Sequence, residues 1–319
     1  MPASPLQIVF LDAGSFGTEV RLPDFGFAHE MTEHEHTLPD QVLERARGAD
    51  IILTNKVPVR RDSIEKLERL KLIGVTATGT DCVDKEACAE HGIGVVNVTG
   101  YATTSVPEHV MGMMLTLQRN LVAYGASVAQ GRWQQSKHFC YLDFPIKDLG
   151  GSTLGMVGSG SLGRATARLA EAFGMEVIYA DRKGSPTARD GYVPFAEMLA
   201  RADVISLHCP LTPETHHLLG EAEFKAMAAR RPLILNTARG PLIDDMALIK
   251  ALDAGWISGA GLDVISQEPP PADHPLLGLA GRPNVLITPH VAWASRNTME
   301  ALCTQLVDNV NRYVAENIS

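Results

Sequence analysis

Short apolar runs alternate with stretches of helical periodicity along almost the whole chain. The runs at residues 7–11, 51–54, 72–77 and 94–98 form one set; those at 153–157, 176–180, 204–208, 233–236, 260–262 and 285–287 form a second. Continuous apolar strands separated by helices predict parallel sheets covered on both faces. Two such sets predict two doubly wound α/β units. Between them, residues 105–130 read as one long helix rich in Met, Leu and Ala, with Ser105 as its N-cap and Glu108 completing a capping box. The cluster Met111, Met113 and Met114 reads as core or interface packing. Residues 131–150 are aromatic-rich, irregular and too apolar for a plain linker, which suits an arm or interface element. A last helical pattern spans 295–317, capped by Ser295, with no strand after it. Its natural place is back against the first unit. The expected domains are therefore residues 1–100 plus 294–319, discontinuous, and 101–293, with 105–150 as helix and arm.

The run at 153–157 leads into Gly158-x-Gly160-x-x-Gly163, then a helical pattern, then a second apolar run ending in Asp181. Each part has a physical job if a dinucleotide binds. Gly158 permits a sharp turn off the strand, Gly160 lets the backbone approach a pyrophosphate, and Gly163 lets helix and strand pack closely. The helix start offers unpaired N–H groups and a positive dipole end. Asp181, about 20 residues on, can accept from an adenosine ribose and would repel a 2′-phosphate. The motif thus favours NAD over NADP, although Arg182 and Lys183 follow the acid and partly counter that repulsion.

With 319 residues, 45% hydrophobic and 20% charged, the chain can build two cores. Its net charge is −9 with no long Lys/Arg block, which argues against nucleic acid or an anionic membrane surface as partner. An anionic substrate would need local positive charge. The N-terminal stretch has no basic region and too short an apolar run for a signal peptide, and no segment approaches a membrane span. These features fit a cytoplasmic protein. Cys82, Cys88, Cys140, Cys209 and Cys303 have neither metal-site nor disulfide-framework spacing, and read as thiols in a reducing compartment. The His-rich run from His29 to His36 lacks metal-motif spacing and reads as a solvated acidic loop, so no metal is expected. His216 and His217 read as surface residues at a helix start.

Three strand ends carry candidate chemistry. Arg239 lies in Asn236-Thr237-Ala238-Arg239-Gly240, where a planar fork suits a carboxylate; a surface Arg is an equal reading of that residue alone. Glu268 stands before Pro269, Pro270 and Pro271; taken singly it is a solvated loop carboxylate. His290, in Thr288-Pro289-His290, can exchange a proton near neutral pH. Together they make a coherent set: Arg to hold an anion, His to move a proton, Glu to orient the His. In the first unit, Thr78 and Gly79 follow an apolar run and can form an anion nest, with Lys56 adding charge or simply facing solvent.

These motifs resemble the D-isomer-specific 2-hydroxyacid dehydrogenase family over nearly the full length. The resemblance rests on GSGSLGRATA at 158–167, LHCPLTPETHHLL at 207–219, LILNTARGPLIDDMAL at 233–248, GLDVISQEPPP at 261–271 and ITPHVAWAS at 287–295. LTNKV at 53–57, VTATGTDCVD at 75–84 and the 133–149 arm are most similar to the glycerate dehydrogenase (hydroxypyruvate reductase) branch. The resemblance implies a flavodoxin-like substrate domain, a Rossmann NAD-binding domain and a cleft between them. It implies that Arg239, Glu268 and His290 are catalytic, with Lys56, Thr78, Gly79, Arg239 and His290 on the substrate. Ser161 and Leu162 would meet the pyrophosphate beside the three glycines, and Asp181 the ribose. Cys209, Pro210 and Thr215 would line the adenine side, and Thr237, Ala238, Arg239, Asp263, His290 and Ala292 the nicotinamide side. It further implies NAD as cofactor, a small 2-keto or D-2-hydroxy acid as substrate, and a homodimer embracing through the arm. Hydroxypyruvate/D-glycerate leads, then glyoxylate/glycolate. The family also holds NAD-responsive corepressor-like sensors that keep the catalytic set, the alternative expectation.

Overall fold

The computed structural model describes residues 4–17, 20–185 and 187–318. They fall into two compact units, one within Met1–Ala102 and Ala294–Ser319, the other within Thr103–Trp293. The outermost residues of the expected first domain lie outside the described ones.

The first unit is built on five parallel strands: β1 (Leu6–Phe10), β2 (His29–Glu33), β3 (Ile51–Thr54), β4 (Leu72–Val75) and β5 (Gly94–Asn97). Their order is β2-β1-β3-β4-β5, the flavodoxin-like arrangement. β3 and β4 are buried along their whole length, with Ile8 beside Ile51 and Ile52 beside Ile73. Helices cover both faces of such strands, so neither face needs polar alternation. The helix Arg296–Asn317 starts where the Ser295 side chain accepts the Thr298 N–H. It seats closely on β5 because the facing position there is a glycine: a Cβ on Gly94 would enter the Tyr313 ring, while one on Gly74 of β4 would overlap Leu53 and only touch Leu306 and Val310. Asn309 fixes the register by donating to the Asn97 carbonyl at 2.9 Å.

One expectation fails here. The segment read as an acidic loop begins with strand β2, paired in parallel from Leu6↔His29 to Phe10↔Glu33. It is an edge strand whose side chains face solvent except at half-buried His29. Backbone pairing to β1 holds it, helped by Gln7 donating to the Glu30 carboxylate at 2.9 Å and by His29 packed on Phe25 and Phe27, so its sequence carries no alternating apolar signature, and its charges discourage further strands from adding.

The second unit holds β6 (Thr153–Val157), β7 (Glu176–Tyr179), β8 (Val204–Leu207), β9 (Leu233–Asn236), β10 (Gly259–Leu262) and β11 (Val285–Ile287), all parallel, in the order β11-β10-β9-β8-β6-β7. A single parallel bridge, Ala180↔Val193, extends the sheet beyond β7. With that rudimentary strand counted, the order is that of a dinucleotide-binding sheet, and the reversal lies between β6 and β8. The core is one cluster of apolar side chains; Ile205, Leu207, Ile234 and Phe224 are wholly enclosed. Each such side chain contributes about 1.5–3 kcal/mol through burial.

The long helix is also revised. Ser105–Gln118 and Leu121–Ala129 are separate helices, broken at Asn120, which takes φ +50°. Asn is among the few residues that adopt the left-handed region readily, and its side chain donates to the Pro145 carbonyl of the arm. Nor is Ser105 the N-cap. Thr104 holds that place, and the Ser105 hydroxyl instead donates to the Ala292 carbonyl at 2.7 Å. Met111, Met113 and Met114 are buried. A Cβ on Gly261 of β10 would overlap Leu235 and crowd Leu117 and Met113, so that glycine lets the helix lie close to the sheet. His216 and His217 are exposed as expected, in a turn rather than a helix start. Among the described residues, no helix is long and apolar enough to cross a membrane.

Candidate active site

The glycine motif sits at the β6–β8 reversal. Gly158, just past β6, has φ +107°, and a Cβ there would lie 2.6 Å from the His208 backbone. Gly163 faces the Gly158 carbonyl, which a Cβ would approach to 2.3 Å. These two are glycines for packing. Gly160 differs: its φ is −67° and a Cβ would meet nothing within 4 Å. The space before it is open, and it caps a 12-residue helix, Ser161–Ala172, with Ser161 and Leu162 in the first turn. An open cradle at a helix N-terminus fits a pyrophosphate.

Beside the motif lies a cavity of about 640 Å³ whose walls include Gly158, Asp181, Arg182, Arg189, Tyr192, Cys209, Pro210 and Thr215. Asp181 is buried, and its carboxylate is already engaged. Oδ1 accepts from the Arg182 and Arg189 groups at 2.8 Å, and Oδ2 from the Arg189 backbone N–H at 2.7 Å. The Arg189 and Arg182 backbone N–H groups hold it below the usual carboxylate range. Burial pushes the Cys209 thiol up to about 11, so it faces the cavity uncharged. Thr215 accepts from the Thr212 N–H and donates to the Pro210 carbonyl, closing the loop. Sequence reading missed Arg189 and Tyr192. The guanidinium lies 4.1 Å over the Tyr192 ring, and the Tyr192 and Ser159 hydroxyls are 2.5 Å apart.

Three loops at the ends of β9, β10 and β11 carry the remaining candidates. After β9, the Asn236 amide bonds the Ala238 N–H and the Arg239 carbonyl, shaping the turn that presents Arg239. The Thr237 hydroxyl in this turn is buried and has no hydrogen-bond partner, an orphan that a bound amide or hydroxyl would satisfy. Gly240 lies so close to Ile265 that a Cβ would fall 1.9 Å from its backbone, which presses the Arg239 turn onto the Glu268 loop. Glu268 and His290 meet directly: Oε2 lies 2.6 Å from Nδ1, while Oε1 accepts the Ile265 N–H at 3.0 Å. Against a carboxylate, Nδ1 carries the hydrogen, and Nε2 is the atom that exchanges a proton.

His290 has φ +55°, rare for a non-glycine residue. Its N–H donates to the Asp263 carbonyl at 2.8 Å. The fully buried Asp263 carboxylate accepts from the Thr288 hydroxyl, the Val291 N–H and the Ala292 N–H at 2.5, 2.9 and 2.9 Å. The Asp263 carboxylate is therefore turned into the loop and orders the His290 turn, while the residue also lines a cavity shared with Glu268 and His290. Ala292, also buried, is held the same way. Because Thr288 donates to Asp263, it accepts from His109 Nε2 at 3.1 Å. Ser105 and His109, one helical turn apart, thus grip both ends of the His290 turn. Neither was found from sequence, since only the fold brings them within reach.

In the first unit, the turn after β3 is organised by Asp12, whose carboxylate accepts the N–H groups of Asn55, Lys56 and Val57. Lys56 is exposed at its apex. Thr78 is exposed and Gly79 half-buried after β4, and the Asn97 amide holds the Thr78 carbonyl at 2.7 Å. Among the described residues, no cluster of His, Cys, Asp or Glu is arranged to hold a metal ion.

Residues 111–292 match the family described as D-isomer specific 2-hydroxyacid dehydrogenase, NAD binding domain. The chain is 49% identical over 310 residues to a glycerate dehydrogenase of Methylorubrum extorquens, covering 97% of this chain and 96% of that protein. It is 45% identical over 313 residues to a putative 2-hydroxyacid dehydrogenase of Haemophilus influenzae, covering 98% and 99%. A crystal structure of a Thermus thermophilus protein superposes with a TM-score of 0.81 at 34% identity, covering 98% and 97%. The chain belongs to the D-isomer-specific 2-hydroxyacid dehydrogenase family and carries its NAD-binding domain.

Proposed function

We propose that the protein interconverts hydroxypyruvate and D-glycerate, with glyoxylate/glycolate as a second pair. The observation that carries this reading is the 2.6 Å Glu268–His290 pair at neighbouring strand ends, in a chain 49% identical to a glycerate dehydrogenase. An amide in place of Glu268 would suit a reaction with no proton to move; a carboxylate suits an alcohol–ketone couple. When bound, NADH supplies the hydride that goes to C2 of the keto acid. His290 Nε2 gives the proton to the carbonyl oxygen and recovers it in the reverse direction. Glu268 fixes the imidazole through Nδ1 and stabilises its charged form. Arg239 holds the substrate carboxylate with two parallel N–H groups. Lys56 and the backbone at Thr78 and Gly79 would be further donors for a small acid.

Gly158, Gly160, Gly163, Ser161 and Leu162 would hold the pyrophosphate, and Asp181, Cys209, Pro210 and Thr215 the adenosine. Thr237 and Ala238 would face the nicotinamide, with Asp263 and Ala292 ordering the loop behind it. We read the protein as a homodimer, supported by apolar side chains left exposed on and before the arm: Leu121, Val122, Trp133, Phe139 and Leu142. A reducing, cytoplasmic setting is supported by five cysteines in the thiol form. The corepressor-like alternative has no observation in its favour. NADH oxidation assayed against a panel of 2-keto acids tests the reading: turnover fastest with hydroxypyruvate supports it, and no turnover with any of them refutes it.

A further inference from the structure

We infer that His274, Ser266 and Asp245 form a clamp that sets Glu268 against His290, as positioning residues outside the catalytic set. The inference rests on the proposed proton transfer and deepens it. Glu268 rides on an exposed loop, residues 266–271. Glu268, Pro269, Pro270 and His290 line a cavity of about 380 Å³, so close packing does not hold the loop on that side. His274, buried beyond the prolines, fastens the loop at both ends. Its backbone N–H donates to the Pro271 carbonyl at 3.0 Å, and its Nε2 lies 3.0 Å from the Ser266 hydroxyl. That hydroxyl donates to Asp245 Oδ2 at 2.5 Å. Asp245 opens the helix Asp245–Asp253, just after the Arg239 turn, and Gly240 of that turn lies against Ile265 and the Ser266 nitrogen. The clamp therefore ties the Glu268 loop to the segment that presents Arg239.

A serine, a histidine and an aspartate in reach of one another can make a nucleophile, but the wiring here excludes it. His274 Nδ1 accepts the Leu276 N–H at 3.3 Å, so the ring hydrogen is on Nε2. Nε2 donates to Ser266 and cannot take its proton. It also lies 3.5 Å from Asp245 Oδ2, so the N–H end of the ring faces the carboxylate. A bond to a charged acceptor is about twice as strong as a neutral one, and burial of His274 shields the cluster from water. Capping the short turn Pro275–Leu279 uses only Nδ1. The second nitrogen reaches the catalytic loop, where slack would lengthen the 2.6 Å contact between Glu268 and His290.

The test is hydroxypyruvate reduction across a pH series by the wild type, Ser266→Ala, Ser266→Thr and His274→Asn, with NADH affinity and Tm measured on each. Ser266→Ala should fold and bind NADH as the wild type does. Its kcat should fall roughly three- to tenfold at unchanged KM, less than the hundredfold that a whole ångström of misplacement costs. The pH above which reduction fails should drop by about half a unit or more, because a looser Glu268 holds the imidazolium less well. Ser266→Thr, which keeps the hydroxyl, should restore both. His274→Asn keeps an acceptor for the Leu276 N–H but no donor toward Ser266, and should behave like Ser266→Ala. An unmoved pH profile in Ser266→Ala overturns the inference, whether kcat holds or falls, as does a Ser266→Thr protein no better than Ser266→Ala. A wild type that reduces no 2-keto acid, or a Glu268→Gln protein with the wild-type pH profile, would strike the proton-transfer reading itself instead.

Discussion

Gly160 separates folding from cofactor binding more cleanly than any other residue of the motif. In Gly160→Ala, the new methyl meets no atom within 4 Å, and φ of −67° suits alanine. Such a change should leave stability equal or raise it by about 0.4–1 kcal/mol through the unfolded chain. The methyl would occupy the space assigned to the pyrophosphate. Displacing the phosphate by that much forfeits one charge-assisted hydrogen bond, at about 1.5–3 kcal/mol. The expected loss is roughly ten- to a hundred-fold in NADH affinity, at about 1.4 kcal/mol per decade. Gly158→Ala should do the opposite in kind. Its φ of +107° and the 2.6 Å approach to His208 demand backbone movement, costing about 1–3 kcal/mol. That corresponds to a Tm fall of roughly 2–12 °C at about 2–4 °C per kcal/mol for a domain of this size. Differential scanning fluorimetry and NADH fluorescence titration on both variants decide the matter. A Gly160→Ala protein that folds and binds NADH with unchanged affinity would refute the placement of the pyrophosphate.

The other substitutions test the loops. Arg239→Lys should lower kcat/KM for hydroxypyruvate at least tenfold while NADH affinity holds, because a point charge replaces a two-pronged contact; equal kcat/KM would remove Arg239 from the carboxylate. His109→Leu should lower kcat more than it raises KM, since the clamp on Thr288 sets the left-handed turn at His290, whereas His109→Gln, which still donates, should recover most of the rate; identical behaviour of the two variants would show the contact to be incidental. Burial pushes His208 down to about 4 from its ordinary 6.5. A depressed histidine costs nothing above its unfolded value, and stability is lost as pH falls from about 6.5 toward 4, by about 2 kcal/mol after allowing for partial exposure. Urea titrations at pH 7 and 4 should show His208→Gln losing that much less than the wild type, and equal losses would contradict it.

What could be read from the chain follows from where each residue sits. Strands such as β3, β8 and β9 are buried on both faces, so their apolar runs announce them. β2 is an exposed edge strand and announces nothing. The break at Asn120 and the Val193 bridge are single-residue events decided by tertiary contacts, which periodicity cannot register. Arg239, Glu268 and His290 stood out because each follows a legible strand. Their supports did not: Asp12 acts on a turn more than 40 residues away, and His109 reaches Thr288 across 179. Asp181 was read as a bare acid because the eight-residue return that brings Arg189 back to it has no sequence signature.

The central claim is that His290, oriented by Glu268, moves the proton in NADH-dependent reduction of a small 2-keto acid. The direct test is hydroxypyruvate reduction by the wild type and by His290→Ala, with NADH affinity measured on both and the chirality of the glycerate determined. The account predicts D-glycerate from the wild type, and a His290→Ala protein that binds NADH normally yet is slower by roughly two to four decades, the scale of general acid–base catalysis. L-glycerate as product, or near-normal turnover without the imidazole, would contradict it.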